Sequence, residues 1–236
     1  MKKTLISLFV IGIITLFTAG AYAEWVLYDN FDSEEINLNK WDIDDSSADI
    51  FIEDGRLKIE HSAGNPNDSA WAKIIKNPHK WRGIKATMEV ESWEGEARAG
   101  IGIDIGTLPE NPDYLVWYEM RLRNVWTESL QDYVPAVSGY ASVLDTNNFE
   151  WQYDIFYTNL GYNKQAIVGE PHKLIAKFNT NSIKFKVKEP VNLGQVMYEF
   201  TGKIDKIEDA WLAIGTKTAT EDAYCVVYVD DVYVLR

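Results

Sequence analysis

The amino-acid sequence predicts an all-β protein that folds as an antiparallel β-sandwich. No segment after Ala23 carries a convincing apolar period of 3.6 residues, whereas apolar and polar residues alternate with period two in many short runs. Turns rich in Gly, Pro, Asn and Asp separate these runs, which is typical of a sandwich of short strands. Because neither a sequence repeat nor a linker interrupts the pattern, residues 24–236 are predicted to form a single domain.

Residues 1–23 have the features of a secretory signal peptide. Lys2 and Lys3 precede the mostly apolar segment from Leu5 to Phe17, and Ala21-Tyr22-Ala23 forms a small-x-small cleavage site. We therefore expect cleavage before Glu24 and a secreted or periplasmic protein without a membrane insertion. The alternative is an uncleaved membrane anchor, for which the apolar run is short.

The strand pattern begins with a hairpin in "ADIFIEDGRLKIEHS" (48–62), where Asp54-Gly55 is a strong turn signal. A polar loop is predicted at 61–70, and a long connection at 125–149 in which "AVSGYASVL" (136–144) forms another strand. The other predicted strands span 70–76, 83–93, 98–106, 114–124, 150–158, 172–179, 182–189, 210–217 and 226–235.

The net charge argues against anionic partners, and the cysteine content excludes an internal disulfide. The formal charge is −13, and loss of Lys2 and Lys3 with the signal peptide would make it −15. Such a chain should repel nucleic acid and anionic membranes, whereas neutral glycans, cations and basic proteins remain possible partners. Cys225 is the only cysteine, so an internal disulfide is excluded, and a small buried apolar role is predicted for it. The histidines, His61, His79 and His172, lack metal-ligand spacing.

The closing strand "VVYVDDVYVL" (226–235) contains two adjacent carboxylates, Asp230 and Asp231. Successive strand residues point to opposite faces, so one of the two is expected to face the apolar side. A buried carboxylate needs a compensating partner.

Three motifs in order along the chain resemble the concanavalin A-like lectin and glucanase jelly rolls, which include laminin-G-like domains and family 16 glycoside hydrolases. They are "WVLYDNFDSEEINLNKW" (25–41), "EDGRLKI" (53–59) and the closing "YVDDVYVL" (228–235). The resemblance implies a two-sheet antiparallel jelly-roll β-sandwich with one concave sheet and with its first and last strands adjacent. It also implies a role in carbohydrate binding or hydrolysis.

The resemblance further implies a structural calcium ion on the convex side. Asp230 matches the closing-strand Asp of the family, Gly55 matches the position of a carbonyl ligand, and Asn30 stands where the family often has an acid. Calcium takes six to eight oxygen ligands, which carbonyls and waters could complete. The alternative is that Asp230 bonds only backbone amides or a lysine.

The catalytic motif of the family 16 hydrolases, Glu-x-Asp-x-x-Glu, does not occur. Retaining hydrolysis requires two carboxyl groups about 5 Å apart. The matching strand (114–124) offers Glu119 alone, so the sequence favours a non-catalytic protein. A pair of Glu119 with Asp104 or Asp154 stays open as an alternative.

A polar and aromatic sheet face is the candidate ligand site. Alternation places Tyr118 and Leu122 toward the core and Trp117 on the opposite face, and Gly100 and Gly102 would leave space between the polar rows. Stacking on an aromatic ring and hydrogen bonds from planar polar groups suit a sugar. The predicted ligand-binding residues are Asp104, Trp117, Glu119, Arg121, Arg123, Gln152 and Asp154.

The sequence therefore predicts an exported, non-catalytic carbohydrate-binding protein, with a neutral glycan as ligand. Two alternatives remain: a glycoside hydrolase or lyase with an atypical carboxylate pair, and a structural or adhesive surface protein that contacts another protein. A further interpretation is that the polar face binds no ligand, and that its opposite charges only form salt bridges on a solvated sheet.

Overall fold

The computed structural model describes residues 23–65, 68–108, 111–145, 150–152, 168–189, 196–203 and 210–236. Within these ranges the chain forms fifteen β-strands and a 3-10 turn at Pro78–Lys80. No helix in this part of the chain is long and apolar enough to span a membrane. The strands β1 to β15 span Trp25–Asp29, Trp41–Asp44, Ala48–Glu53, Arg56–Ser62, Ser69–Ile74, Gly83–Glu94, Ala97–Leu108, Asn111–Thr127, Asp132–Asp145, Glu150–Gln152, His172–Asn179, Ser182–Lys188, Val196–Lys203, Trp211–Thr218 and Tyr224–Leu235.

The strands form two antiparallel sheets. The eight-stranded sheet has the order β13-β12-β11-β6-β15-β4-β3, and β1 also pairs with β15. The seven-stranded sheet has the order β10-β9-β8-β7-β14-β5-β2. The first and last strands are thus adjacent, and the predicted all-β, two-sheet jelly roll is confirmed.

The core lies between the two sheets and consists of the alternate residues of each strand. Ile101 and Ile103 of β7 and Leu174 and Ala176 of β11 are fully buried there. Burial of such side chains removes apolar surface from water and is the main favourable term in the free energy of folding. We call the opposite side of each sheet its outer face.

The predicted hairpin at 48–62 is confirmed, but the connection after β8 differs from the expectation. Asp54 and Gly55 adopt the left-handed φ values of 52° and 70° that a two-residue hairpin turn needs. The predicted long connection at 125–149 is mostly strand, because β8 continues to Thr127 and pairs along its length with β9. Residues 146–149 and 153–167 lie outside the described ranges. Strands β2 and β13 were not predicted from the sequence.

The expectation that Asp230 or Asp231 faces the core was wrong. Asp231 has a φ of 50° and occupies a break in the β6–β15 register, which is a β-bulge. The extra residue shifts the alternation, so that Val229 and Val232 are both fully buried, while Asp230 is half-buried and Asp231 is exposed. The bulge keeps both carboxylates out of the core.

The N-terminal motif "YDNF…KW" (28–41) is a network around the buried carboxylate of Asp29. This carboxylate accepts hydrogen bonds from the Trp41 indole at 2.9 Å and from the Phe31 backbone amide at 3.2 Å. The Lys40 ammonium lies 3.3 Å from it. The Trp41 ring also contacts the rings of Tyr28 and Phe31, with centroids 5.2 and 5.8 Å away. The spacing of the motif therefore reflects one packed network that joins β1 and β2.

Three titratable side chains are enclosed in the core. His61 and His172 are fully buried, and the Nδ1 atom of His61 lies 2.9 Å from the Thr216 hydroxyl. Burial lowers the pKa of both imidazoles. Cys225 is also buried, as predicted, and burial raises the pKa of its thiol to about 12, so the reactive thiolate is negligible at neutral pH.

Acidification from pH 8 to pH 5 is expected to destabilise the protein through the two buried histidines. The unfolded chain protonates its histidines near pH 6.5, but the folded chain resists protonation because its pKa values are lowered. The free energy of unfolding should therefore fall as the pH drops below about 6.5. Urea unfolding of the wild type and of a His61→Gln/His172→Gln variant measures this dependence. The variant should show a shallower pH slope, whereas exposed His79→Gln should match the wild type; equal slopes in all three would contradict the assignment.

Candidate functional site

The outer face of the seven-stranded sheet has a floor of small residues at its centre. Gly100 and Gly102 of β7 pair across the strand boundary with Gly215 and Ala213 of β14. Side chains that project outward at these positions are absent or a single methyl group. Larger residues flank the floor in register on both sides: Trp71 and Lys73 of β5, and Glu119 and Arg121 of β8.

Trp71 of β5 lies directly against this floor. A Cβ atom added to Gly215 would lie 2.5 Å from Cε3 of Trp71 and 2.2 Å from the Ala70 carbonyl oxygen. Gly215 is therefore required for the close approach of the indole to the backbone of β14. The indole is half-buried, which leaves part of it accessible from the outer face.

A second half-buried indole, Trp211 of β14, lies beside polar groups. The Lys73 ammonium is 5.6 Å from the centre of the Trp211 ring, and the exposed His79 ring meets it edge-on at 5.5 Å. Lys73 also forms an ion pair with Asp104, with 3.7 Å between Nζ and Oδ2. Since Trp211 pairs with Asp104 in the sheet register, these groups form one cluster, the Trp211 cluster.

The other side of the floor carries charged residues that are buried. Glu119 and Arg121 of β8 form a salt bridge and expose only 5% and 2% of their surface. Glu96 binds Arg98 at 2.7 Å and Arg123 at 2.9 Å. Burial alone would raise the pKa of Glu96, but its bonds to the two arginines outweigh burial and lower that pKa. Each carboxylate in this part of the face is thus neutralised by arginine.

The predicted ligand residues share the outer face where the structure describes them. Asp104 is half-buried and belongs to the Trp211 cluster, while Glu119, Arg121 and Arg123 lie on the same face but are buried rather than solvated. The backbone of Trp117 pairs with Asp104, and that of Gln152 pairs with Val143 at the sheet edge. Asp154 lies outside the described residues.

Trp71, Lys73 and Trp211 were missed by the sequence prediction. The signal for them was present, because "AWAKI" (70–74) and "AWLAIGTK" (210–217) alternate small apolar residues with large ones. The buried Ala70 and Ala72 leave Trp71 and Lys73 on the outer face.

Glu119 and Asp104, the described carboxylates of the alternative catalytic pair, both form ion pairs with basic side chains. Glu119 is bound to Arg121, and Asp104 is paired with Lys73. Among the described residues, the face offers aromatic surface and compensated polar groups.

The predicted calcium ligands lie near one another, with Asp32 as an additional oxygen donor. Asn30 donates a hydrogen bond to Asp32, and an oxygen of Asp32 lies 3.8 Å from the point where a Cβ of Gly55 would be. Burial first, and then the charges of Asp231 and Asp32, raise the pKa of Asp230. Asp230 accepts a hydrogen bond of 2.7 Å from the Asp231 backbone amide, which is the alternative partner expected for it. Its carboxylate and that of Asp32 are nevertheless hard oxygen donors of the kind that calcium takes. The described chain contains no group of three or more His, Cys, Asp or Glu residues arranged to hold a metal ion, so carbonyl and amide oxygens would have to supply the remaining ligands.

No family model matches the chain, and no curated protein matches it in sequence. Solved structures do match it. A β-porphyranase from the human gut bacterium Bacteroides plebeius is 10% identical, with a TM-score of 0.55 over 91% of this chain and 92% of the other. A family 16 glycosyl hydrolase protein from Mycobacterium smegmatis is 12% identical, with a TM-score of 0.52 over 90% and 99%. A κ-carrageenase from Pseudoalteromonas carrageenovora, in complex with a carrageenan oligosaccharide, is 10% identical, with a TM-score of 0.51 over 94% and 100%.

These similarities span nearly the whole chain and show its fold. The protein has the two-sheet β-sandwich fold of the concanavalin A-like jelly rolls, as the sequence resemblance predicted.

Proposed function

We propose that the protein binds carbohydrate on the outer face of its seven-stranded sheet and does not cleave it. The observation that carries the proposal is the pair of half-buried indoles, Trp71 and Trp211, on two adjacent strands beside a floor of small residues. We further propose that the protein is exported, because residues 1–23 have the features of a signal peptide. N-terminal sequencing of the exported protein should begin at Glu24, and retention of Met1 would contradict export by cleavage.

The chemistry of the face suits a neutral sugar. An indole packs against the C–H surface of a pyranose, and nearby charged groups bond its hydroxyls. Lys73 and Asp104 of the Trp211 cluster supply a donor and an acceptor, and the exposed Asp42, which pairs in register with Lys73, adds another acceptor. Because Lys73 is neutralised by Asp104, the cluster has no excess positive charge to attract an anionic ligand.

Trp117 and Gln152 remain proposed contacts at the β8 side of the face. Trp117 follows from its register with Asp104, and Gln152 from its place on the strand next to β9. The buried Glu119, Arg121 and Arg123 are assigned a supporting role, in which their salt bridges hold the face rigid. Preorganised polar groups lose less entropy when a ligand binds.

The fold neighbours support the class of ligand. The porphyranase and the carrageenase are named as enzymes that act on polysaccharides, and the carrageenase structure contains an oligosaccharide of κ-carrageenan. The shared fold raises the expectation of carbohydrate binding, but fold alone does not assign function, so the proposal depends on the indoles.

A glycan-array screen of residues 24–236, followed by calorimetric titration of the best ligand, tests the proposal. We expect binding of a neutral oligosaccharide without release of reducing ends or unsaturated products on prolonged incubation. Product release that disappears in Glu119→Gln would instead establish the alternative of a hydrolase or lyase. Failure of every glycan to bind would favour the third possibility, a surface protein that contacts another protein.

We also propose that Asn30, Asp32, Gly55 and Asp230 hold a structural calcium ion. Calcium that binds only the folded state raises the melting temperature, and a chelator reverses the effect. The proposal rests on the raised pKa of Asp230 beside Asp32 and on the family resemblance.

Asp230→Asn is expected to remove the response of the melting temperature to calcium. In the absence of calcium the same variant should be at least as stable as the wild type at pH 7. A raised pKa means that the ionised carboxylate is disfavoured in the folded state, so the stability that Asp230 contributes at low pH is lost as the pH rises through that pKa. Thermal unfolding with calcium and with chelator measures both effects. Asp45→Asn, at an exposed position, should retain the calcium response; a wild type that does not respond to calcium would contradict the proposal.

A further inference from the structure

Six lysines lie on the outer face of the eight-stranded sheet, on three neighbouring strands. We call them the lysine strip: Lys85 of β6, Lys173 and Lys177 of β11, and Lys184, Lys186 and Lys188 of β12. They make up six of the 23 lysines and arginines in a chain whose net charge is −13. The charge of the lysine strip is therefore opposite in sign to the net charge of the molecule.

The sheet register brings these like charges directly opposite one another. Lys173 pairs with Lys188, and Lys177 pairs with Lys184. Like charges at directly opposed positions of antiparallel strands destabilise the sheet. Burial, and then the charge of Lys173, lower the pKa of Lys85, which is consistent with a positive potential over the strip.

The carboxylates near the strip compensate only part of this charge. Glu199 of β13 binds Lys184 and lies 2.6 Å from Lys186, and Asp231 contributes a weaker attraction to Lys85. Within the described ranges, no ion pair forms at Lys173, Lys177 or Lys188. Several positive charges thus remain for an external anion.

The strip borders a groove of about 310 Å³ that also has an aromatic wall and an apolar floor. Trp25 of β1 and Ile175 of β11 line the groove together with Lys177, Lys184, Lys186 and Lys188. The ammonium groups of Lys85 and Lys177 lie 5.1 and 5.2 Å from the Trp25 ring. The half-buried indole of Trp25 therefore lies among positive charges. It lines one side of the groove, where a ligand can contact it.

We infer that the lysine strip is a second binding site, for an acidic polysaccharide chain that carries sulfate or carboxylate groups. The lysines would bind the anionic groups, and Trp25 would pack against a sugar ring. This site lies on the opposite sheet from Trp71 and Trp211 and is independent of the proposed neutral-glycan site. One protein could then connect two different glycans.

A slim chain fits the strip better than an extended anionic surface does. Charges are screened beyond about 8 Å at physiological ionic strength, so a single chain in the groove interacts mainly with the strip. A membrane or a DNA duplex would also approach the acidic remainder of the protein, which repels it.

Binding of heparin, dextran sulfate and polygalacturonate, with neutral dextran as reference, tests the inference and separates sulfate from carboxylate recognition. The decisive variant is Lys177→Glu/Lys188→Glu, and Lys76→Glu/Lys80→Glu is the matched control, because it makes the same charge change at exposed positions elsewhere. We expect at least one acidic polysaccharide to bind the wild type, and the strip variant to lose at least tenfold in affinity and to show a shallower salt dependence. Trp25→Ala should weaken binding while leaving the salt dependence unchanged.

Three outcomes would overturn the inference. They are the absence of binding to every acidic polysaccharide, an equal loss in the control variant, and binding of anionic phosphatidylserine vesicles or duplex DNA through the same lysines at least as tightly as the polysaccharides. Circular dichroism of the folded variants excludes unfolding as the cause of a loss. Because neutral-glycan binding is measured separately, failure here leaves the proposed function unaffected.

Discussion

Trp211→Ala is expected to weaken binding of the neutral glycan by about 30-fold, which corresponds to about 2 kcal/mol and is typical of an aromatic residue at the centre of an interface. The substitution removes the indole that lies beside Lys73, His79 and Asp104. Because Trp211 is half-buried on the outer face, its loss should affect stability less than binding. Calorimetric titration gives the dissociation constants, and circular dichroism checks the fold.

The control is Trp126→Ala. Trp126 lies on the same sheet and is 38% exposed, but it packs against Tyr133 near the turn that joins β8 and β9, away from the small-residue floor. Its replacement should leave the affinity unchanged. If both variants bind like the wild type, or lose affinity equally, the indole of Trp211 is not the sugar platform.

Trp41→Ala should have the largest effect on stability, a loss of about 3–5 kcal/mol in the free energy of unfolding. The ring is 1% exposed, packs against Tyr28 and Phe31, and donates the indole hydrogen bond to the buried Asp29. Its removal leaves both a cavity and a carboxylate that has lost a donor. Urea unfolding at pH 7 measures the loss.

Trp41→Phe separates the two contributions. It keeps most of the ring volume but cannot donate to Asp29, so its loss of stability should fall between the wild type and Trp41→Ala. Stability of Trp41→Ala within about 0.5 kcal/mol of the wild type, the range of ordinary surface substitutions, would contradict the packing of this network.

The sequence could predict most of the strands because each of these has a regular alternation of its own. The Asp54-Gly55 hairpin and strands such as β11 and β12 agree with the prediction closely. Residues 125–135, where β8 and β9 meet, were predicted to belong to a long connection, although the two strands pair as far as Thr127 and Asp132. Pairing over such a distance is decided by the neighbouring strand, which local sequence does not report.

The candidate site was harder to predict than the fold. Alternation identified the face of Glu119 and Arg121, but the burial of these two side chains depends on what surrounds them in the folded protein. Trp71 and Trp211 are far apart in sequence and lie on neighbouring strands of one face only because β5 pairs with β14. The bulge at Asp231 likewise reverses the expected orientation of the closing carboxylates, and a period-two pattern cannot reveal an inserted residue.

The indole N–H resonances of the nine tryptophans provide the most direct test of carbohydrate binding on the outer face of the seven-stranded sheet. Titration of the mature protein with the neutral glycan, followed by NMR, should shift the resonances of Trp71 and Trp211. Those of the buried Trp41 and of Trp25 on the other sheet should stay in place. Shifts confined to Trp25 or Trp126, with Trp71 and Trp211 unchanged at saturation, would contradict the proposed site.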